Sequence, residues 1–389
     1  MSEVVPPDER DPMTSQERKR FRVRVVMATV ATVVVVGGGA SMLAHCARNP
    51  RVDDASDAEL AQGQQLYRTY CGLCHGDEGE GYAADDANAL ANQDFLVSVS
   101  DEFLTQAIAE GHPGTAMAAY HEDRGGPLDD GEIGAIVALI RSWQEEDMAA
   151  MPDPGAGDAQ RGAQVFAQEC ASCHGARGQG DTAISLNHPV FLASASDAQI
   201  RYAIAKGRGG TPMPAFEGEL AEQTIDDLVA LIRSWEPSEA PRPTTGGPSA
   251  AAVDGPVIIN PDGEAPDFPE LREGRYVPSE AVADALHQGR RMIILDARTA
   301  SDYAHFHLPG SIPSPYYEVE SIMERLPRDG TWIIAYCACP HAASGRVMDF
   351  LREHDFPNTA VLDEGVLHWR DEGFPVVVGD APGTLEDAE

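Results

Sequence analysis

Two short runs in this chain hold residues that can do chemistry together. Cys71-Gly72-Leu73-Cys74-His75 and Cys170-Ala171-Ser172-Cys173-His174 each place two thiols one helical turn apart and follow them with an imidazole. Thiols at that spacing can bond the two vinyl groups on one edge of a haem, and the next side chain then reaches the iron. The tethers and the fifth ligand come from a single turn of chain, so loss of the cofactor becomes negligible. Two other chemistries use paired cysteines. A dithiol redox pair does not call for a His directly after it, and a zinc ribbon needs its two Cys pairs close together, whereas these lie far apart. The runs therefore point to two covalently bound haem c groups.

The surroundings of the two runs repeat as well. Asp94-Phe95-Leu96-Val97-Ser98-Val99-Ser100-Asp101 aligns with Val190-Phe191-Leu192-Ala193-Ser194-Ala195-Ser196-Asp197. The same offset maps Ala107-Ile108-Ala109-Glu110-Gly111 onto Ala203-Ile204-Ala205-Lys206-Gly207, and Met117 onto Met213. Both units close on Ala-Leu-Ile-Arg-Ser-Trp, at 138–143 and 230–235. A duplicated domain over residues 57–145 and 157–236 accounts for this. Each copy reads as helical. Leu60, Gly63, Gln64 and Tyr67 fall at helical spacing before the first pentad, as do Gly162, Val165 and Phe166 before the second. Ile133, Ile136, Val137 and Ile140 mark an amphipathic closing helix, matched by Leu228, Leu231 and Ile232. The middle of each unit, with its Gly and Pro, reads as loop.

With these motifs, both units resemble class I cytochrome c domains over the whole of residues 57–236. The resemblance implies a small all-α fold and a Met as sixth iron ligand, from a loop before the last helix. Met213 lies in Thr211-Pro212-Met213-Pro214, where flanking prolines hold the chain extended. Met117 is its counterpart by the repeat, without the prolines. His112, His121 and His188 are alternative ligands that read more simply as exposed loop residues. The expected site is thus Cys71, Cys74, Cys170 and Cys173 for attachment, with His75, Met117, His174 and Met213 on the irons. With both axial positions filled, a haem carries electrons and does not bind substrate. Partners are then redox proteins, such as other cytochromes or a terminal oxidase.

A third chemical residue lies downstream. Met292-Ile293-Ile294-Leu295 and Trp332-Ile333-Ile334-Ala335-Tyr336 read as buried strands, with helices around 279–287 and 344–354, which implies a parallel α/β sheet. Leu295-Asp296-Ala297-Arg298, His307-Leu308-Pro309-Gly310, Ala335-Tyr336-Cys337 and Glu364-Gly365-Val366 together resemble a single rhodanese domain over residues 271–378. The resemblance makes Cys337 a nucleophile that moves sulfane sulfur from a small donor such as thiosulfate, its thiolate or persulfide held by a loop and a helix N-terminus. The loop departs from the pattern. Cys337-Ala338-Cys339-Pro340-His341-Ala342-Ala343-Ser344 is one residue longer than usual, and Ala343 replaces the family's Arg. Cys339 could resolve a persulfide on Cys337 or pair with it. The alternative is an inactive rhodanese fold used for docking. Asp296 and Arg298 are expected to form an internal ion pair.

The remaining features concern location. Net charge is −35, from 63 acidic and 28 basic residues, which excludes nucleic acid as a partner because phosphate binding needs clustered Lys and Arg. Basic residues do cluster at Arg18, Lys19, Arg20, Arg22 and Arg24, and residues 25–44 then carry no charge. As a helix that stretch spans about 30 Å, the thickness of a bilayer core. The expectation is a single-pass anchor with a cytoplasmic tail (residues 1–20), in a bacterial membrane with the bulk of the chain periplasmic. A cleaved signal, or lipidation at Cys46 in Leu43-Ala44-His45-Cys46, would serve the same export. Residues 237–270 read as a linker and 379–389 as an acidic tail.

Overall fold

Each repeat hangs on two long helices that cross where the first of them has no room for a side chain. In a computed structural model, residues 55–84, 87–112, 115–235, 257–338 and 342–388 are described. The first repeat runs α1 (Asp57–Tyr70), α2 (Gly72–His75), α3 (Gln93–Leu96), α4 (Asp101–Glu110), a 3-10 turn (Glu122–Arg124) and α5 (Asp130–Ser142). The second runs α6 (Ala159–Glu169), α7 (Ala171–His174), α8 (Pro189–Ser194), α9 (Asp197–Lys206) and α10 (Glu222–Ser234). Helix α1 packs on α5, and α6 on α10. A Cβ on Gly63 would stand 2.2 Å from the Ala135 carbonyl oxygen, and one on Gly162 2.2 Å from that of Asp227. The helical spacing that selects these glycines therefore also sets the closest approach of the two helices.

The shared closing hexamer has a structural reason. Trp143 meets Tyr67 edge to face at 5.1 Å, and Trp235 meets Phe166 in the same way at 5.2 Å. Arg141 donates to the carbonyls of Leu96 (2.8 Å) and Val99 (2.5 Å) and to the Asp101 carboxylate (2.7 Å). Arg233 repeats this with the carbonyls of Leu192 and Ala195 and with Asp197. Each Arg ties the last helix to the segment before α4 or α9. Those two helices correct the expectation of mid-unit loops. Ser100 and Ser196 cap them, accepting from the N–H groups of Phe103 and Gln199 at 3.1 Å each. A serine followed by an acidic residue was a legible start signal in both copies.

The two repeats meet through equivalent surfaces and share one hydrophobic cluster. Helix α4 touches α8, and α9 touches α3. The Asn92 amide donates to the Gly209 carbonyl (2.8 Å), and the Gly209 N–H donates to the Asp94 carboxylate (2.7 Å). On the opposite side His188, the counterpart of Asn92, packs on His112. This is the isologous logic of a two-fold dimer, carried out within one chain.

The C-terminal domain is an α/β fold on a parallel sheet. It runs β1 (Tyr276–Val277), α11 (Ser279–His287), β2 (Met292–Asp296), α12 (Ala300–His305), β3 (Ile312–Pro313), a 3-10 helix (Val319–Arg325), β4 (Trp332–Tyr336), α13 (Ala342–Glu353), β5 (Thr359–Leu362) and α14 (Gly365–Asp371). Strand order is β1-β5-β4-β2-β3, with every pairing parallel. Residues 292–296 are all buried, as expected of a sheet covered on both faces. Part of the expected linker packs on this domain, with Ile259 bridging Met292 and Phe268 against Trp332 at 5.4 Å. The expected span 25–44, the tail 1–20, Cys46, Cys339 and His341 lie outside the described residues. Among the described residues no helix is long and apolar enough to cross a membrane.

Gly63→Ala should cost about 1–3 kcal/mol, because the new methyl meets backbone that cannot rotate away. Gly134→Ala, in α5 with nothing within 4 Å of its would-be Cβ, should instead be neutral or stabilise by up to about 1 kcal/mol. Denaturant unfolding of the haem-loaded protein followed by circular dichroism checks both.

Candidate functional site

Both pentads continue the helix before them. The Cys71 N–H donates to the Tyr67 carbonyl (2.8 Å), and the His75 N–H to that of Cys71 (2.9 Å). The second site matches, with Cys170 on Phe166 (2.9 Å) and His174 on Cys170 (3.0 Å). Each imidazole is then fixed by one backbone carbonyl. His75 Nδ1 lies 2.8 Å from the Asn88 carbonyl oxygen, and His174 Nδ1 lies 2.9 Å from that of Ile184. A proton held on Nδ1 leaves the lone pair on Nε2, the tautomer a metal requires. Burial lowers both imidazoles and keeps them neutral.

The thiols separate the candidate chemistries. Burial pushes Cys71 up to about 12 and Cys170 up to about 11. A reactive dithiol needs the opposite shift. Among the described residues, no three of His, Cys, Asp or Glu are gathered to hold a metal ion by themselves. Protonated thiols beside a neutral, oriented imidazole suit thioether attachment and iron ligation, so the donor set fits a haem at each pentad.

Met117 and Met213 occupy equivalent loops, one in each repeat. The Met117 N–H donates to Thr115 Oγ1 (3.1 Å), and its carbonyl accepts from the His112 N–H (2.7 Å). The Met213 N–H donates to Thr211 Oγ1 (3.2 Å), and its carbonyl accepts from the Arg208 N–H (3.0 Å). The threonine turn, present in both copies, shapes the loop whether or not prolines flank the Met. The alternative histidines make contacts of their own. His121 caps the 3-10 turn and sits 3.2 Å from Asp130. His188 is buried, caps α8 by accepting from the Val190 N–H (3.2 Å), and meets His112 edge to face at 4.9 Å. The expectation of exposed loop residues thus fails for His112 and His188, because the contact between repeats covers them. Burial first, then the neighbouring His188 and His75, pushes His112 down to about 3.

Cys337 lies just past β4 and ahead of α13, buried, with Sγ 3.2 Å from the Ser344 hydroxyl in the first turn of α13. Its carbonyl accepts from the Val366 N–H (2.9 Å), which ties the loop to α14. Asp296 and Arg298 form the expected buried ion pair at 2.7 Å, and the Tyr336 hydroxyl also donates to Asp296 (2.7 Å). Sequence reasoning missed the carbonyls of Asn88 and Ile184, which no side-chain signal could announce. It also missed the roles of Arg141 and Arg233, which their place in the shared hexamer did signal.

Two covalent haem turns in a duplicated helical unit, joined to an α/β rhodanese-like domain, define a c-type cytochrome with a fused accessory domain. A model of the cytochrome c oxidase, cbb3-type, subunit III family matches residues 58–140 and 157–232, and a rhodanese-like domain model matches 279–372. The chain belongs to the cbb3-type cytochrome c oxidase subunit III family, and its cofactor is haem c. It is 30% identical over 211 residues to the cbb3-type cytochrome c oxidase subunit FixP of Azorhizobium caulinodans, covering 50% of this chain and 68% of that one. The FixP of a Bradyrhizobium strain is 30% identical over 45% of this chain, which spans 60% of that relative's length. The cytochrome bc1 complex cytochrome c subunit of Mycobacterium bovis is 25% identical over 57% of this chain and 80% of its own.

Two outcomes follow. Met213→Leu should lower the reduction potential of one haem and let imidazole bind there, read by spectroelectrochemistry and ligand titration. Burial raises Asp302 from 3.8 to about 6. The folded chain then holds this proton more tightly than the unfolded chain, so stability falls as pH rises from about 4 through 6. Asp302→Asn should remove that loss and gain about 2 kcal/mol at pH 7.5 but little at pH 4, measured by denaturation at both pH values.

Proposed function

We propose that this chain is a membrane-anchored, periplasmic dihaem cytochrome that relays electrons to another cytochrome or a terminal oxidase, with sulfur chemistry attached at Cys337. Cys71 and Cys74, and Cys170 and Cys173, hold the two haems, with His75 and Met117, and His174 and Met213, as axial ligands. The observation that carries the reading is the matched hydrogen bond from each pentad imidazole to a backbone carbonyl, at 2.8 and 2.9 Å. Haem c supplies one-electron redox chemistry when bound. The chain's own residues orient each imidazole, keep it neutral, and supply a loop Met that favours the reduced state. The uncharged stretch 25–44 after a basic cluster supports the anchor, and the FixP relatives, as oxidase subunits, support an oxidase as partner.

At Cys337, the thiolate attacks the outer sulfur of thiosulfate. A new S–S bond forms to Cys337, the old one breaks, and sulfite leaves with the bonding pair. The persulfide then passes to an acceptor thiolate. The α13 N-terminus and the Ser344 hydroxyl stand where the thiolate needs support. An inert docking domain is the second reading, favoured by the burial of Cys337 and by Ala343 in place of Arg. The soluble region incubated with thiosulfate should gain the mass of one sulfur atom, and Cys337→Ser should not. Absence of an adduct with thiosulfate, polysulfide and glutathione persulfide alike would leave the docking reading standing.

A further inference from the structure

The rhodanese-like domain sits on one haem turn and not on the other. Leu73, between Cys71 and Cys74, packs against the hydrophobic cluster that contains Cys337, as do Ala343 and Phe350 of α13. Helices α2 and α13 are in contact. Four tyrosines close around this apolar patch. Tyr70 meets Tyr120 at 6.0 Å and Tyr317 at 5.1 Å, and Tyr316 meets Tyr317 at 5.1 Å, all edge to face. The hydroxyls of Tyr316 (2.8 Å) and Tyr120 (3.1 Å) both donate to the Tyr70 carbonyl, the one immediately before Cys71. The two hydroxyls lie 3.3 Å apart, and the Arg346 guanidinium of α13 lies 5.8 Å from the Tyr316 ring centre. A helix-end carbonyl that would otherwise face water is thus satisfied across a domain boundary.

The duplication supplies an internal control. At the positions of Tyr70, Leu73 and Tyr120, the second repeat has Glu169, Ser172 and Phe216. A charge, a small hydroxyl and a ring without a hydroxyl cannot make these contacts, and Ser172 and Cys173 are exposed. On the other side, Ala343 stands where the rhodanese pattern has an Arg, which puts an uncharged side chain on the same hydrophobic cluster as Leu73. Departures from two different patterns therefore meet at one contact.

The geometry points to a built-in docking surface, in which Leu73 and the Tyr70–Tyr120–Tyr316–Tyr317 cluster bind the rhodanese-like domain to the attachment turn of the first haem site alone. This rests on haem attachment at Cys71 and Cys74 and does not require turnover at Cys337. The docked domain dries one edge of the first site and sets two hydroxyl dipoles beside it. Burial and hydrogen bonding around a haem set its potential, so undocking should lower one potential and not the other.

The test uses the full-length protein with both haems loaded, in Leu73→Glu, Tyr316→Phe and the control Ser172→Glu. In Leu73→Glu, hydrogen exchange over residues 314–320 and 342–353 should quicken about ten-fold or more, and one haem midpoint should fall while the other holds. Tyr316→Phe, a change on the rhodanese side that leaves the haem turn intact, should give the same pattern at about three- to ten-fold. It decides the matter if Leu73→Glu fails to load its first haem. Ser172→Glu should leave the exchange of both segments unchanged. Unchanged exchange and unchanged midpoints in Tyr316→Phe and in loaded Leu73→Glu would overturn the docking surface. Sulfur uptake measured by mass in the same samples separates the two readings. Its absence in the unmodified protein removes the sulfur chemistry only, and Cys337→Ser should keep the slow exchange over 342–353.

Discussion

One hydrogen bond recurs at the centre of each helical repeat, from a pentad imidazole to a backbone carbonyl several residues on. It selects the tautomer, aims Nε2, and obliges the chain after the pentad to fold back so that Asn88 or Ile184 arrives beside the ring. Much of the rest of the repeat serves that return. The Tyr67 hydroxyl donates to the Gly76 carbonyl at 3.0 Å, Trp143 packs on Tyr67, and the α1–α5 crossing at Gly63 sets how far apart the two ends of the unit stand.

Duplication gave the chain two such centres, and the divergence between copies follows what each position faces. Positions turned inward stay alike, as with Tyr67 and Phe166 or Arg141 and Arg233. Positions at the contact between repeats hold different partners on its two sides, Asn92 with Gly209 on one and His188 with His112 on the other. Positions under the rhodanese-like domain differ as well, with Tyr70, Leu73 and Tyr120 in one copy and Glu169, Ser172 and Phe216 in the other. The second pentad turn keeps Ser172 and Cys173 exposed.

The C-terminal domain places the Cys337 thiol beside a helix that also contacts the first pentad turn. Cys337 ends a buried strand, and α13 carries both its hydroxyl neighbour Ser344 and the residues that meet the first haem turn. Changes beside Cys337 and changes beside the first pentad thus act on one helix. The Asp296–Arg298–Tyr336 network lies under the same strands and holds two charges in good geometry far from water.

Local chemistry was legible in the sequence. Cys-x-x-Cys-His needs only one turn of helix to define its attachment geometry, and the Gly63 and Gly162 spacing, the duplicated Met loops and the strand runs of the α/β domain are local patterns too. The mid-unit helices were also announced, by Ser100 and Ser196, but their flanking Gly and Pro hid them. What needed the tertiary structure was every relation between segments remote in sequence. A backbone carbonyl such as that of Asn88 has no side-chain signature. His112 and His188 look like surface residues until the repeats close on them. Leu73 reads as a filler between two cysteines, and only folding shows that it faces the cluster around Cys337. The sequence by itself determined which groups can react, because reactivity is a property of residue type and near spacing. The tertiary structure decided what surrounds them, because burial and orientation come from contacts that no local pattern encodes.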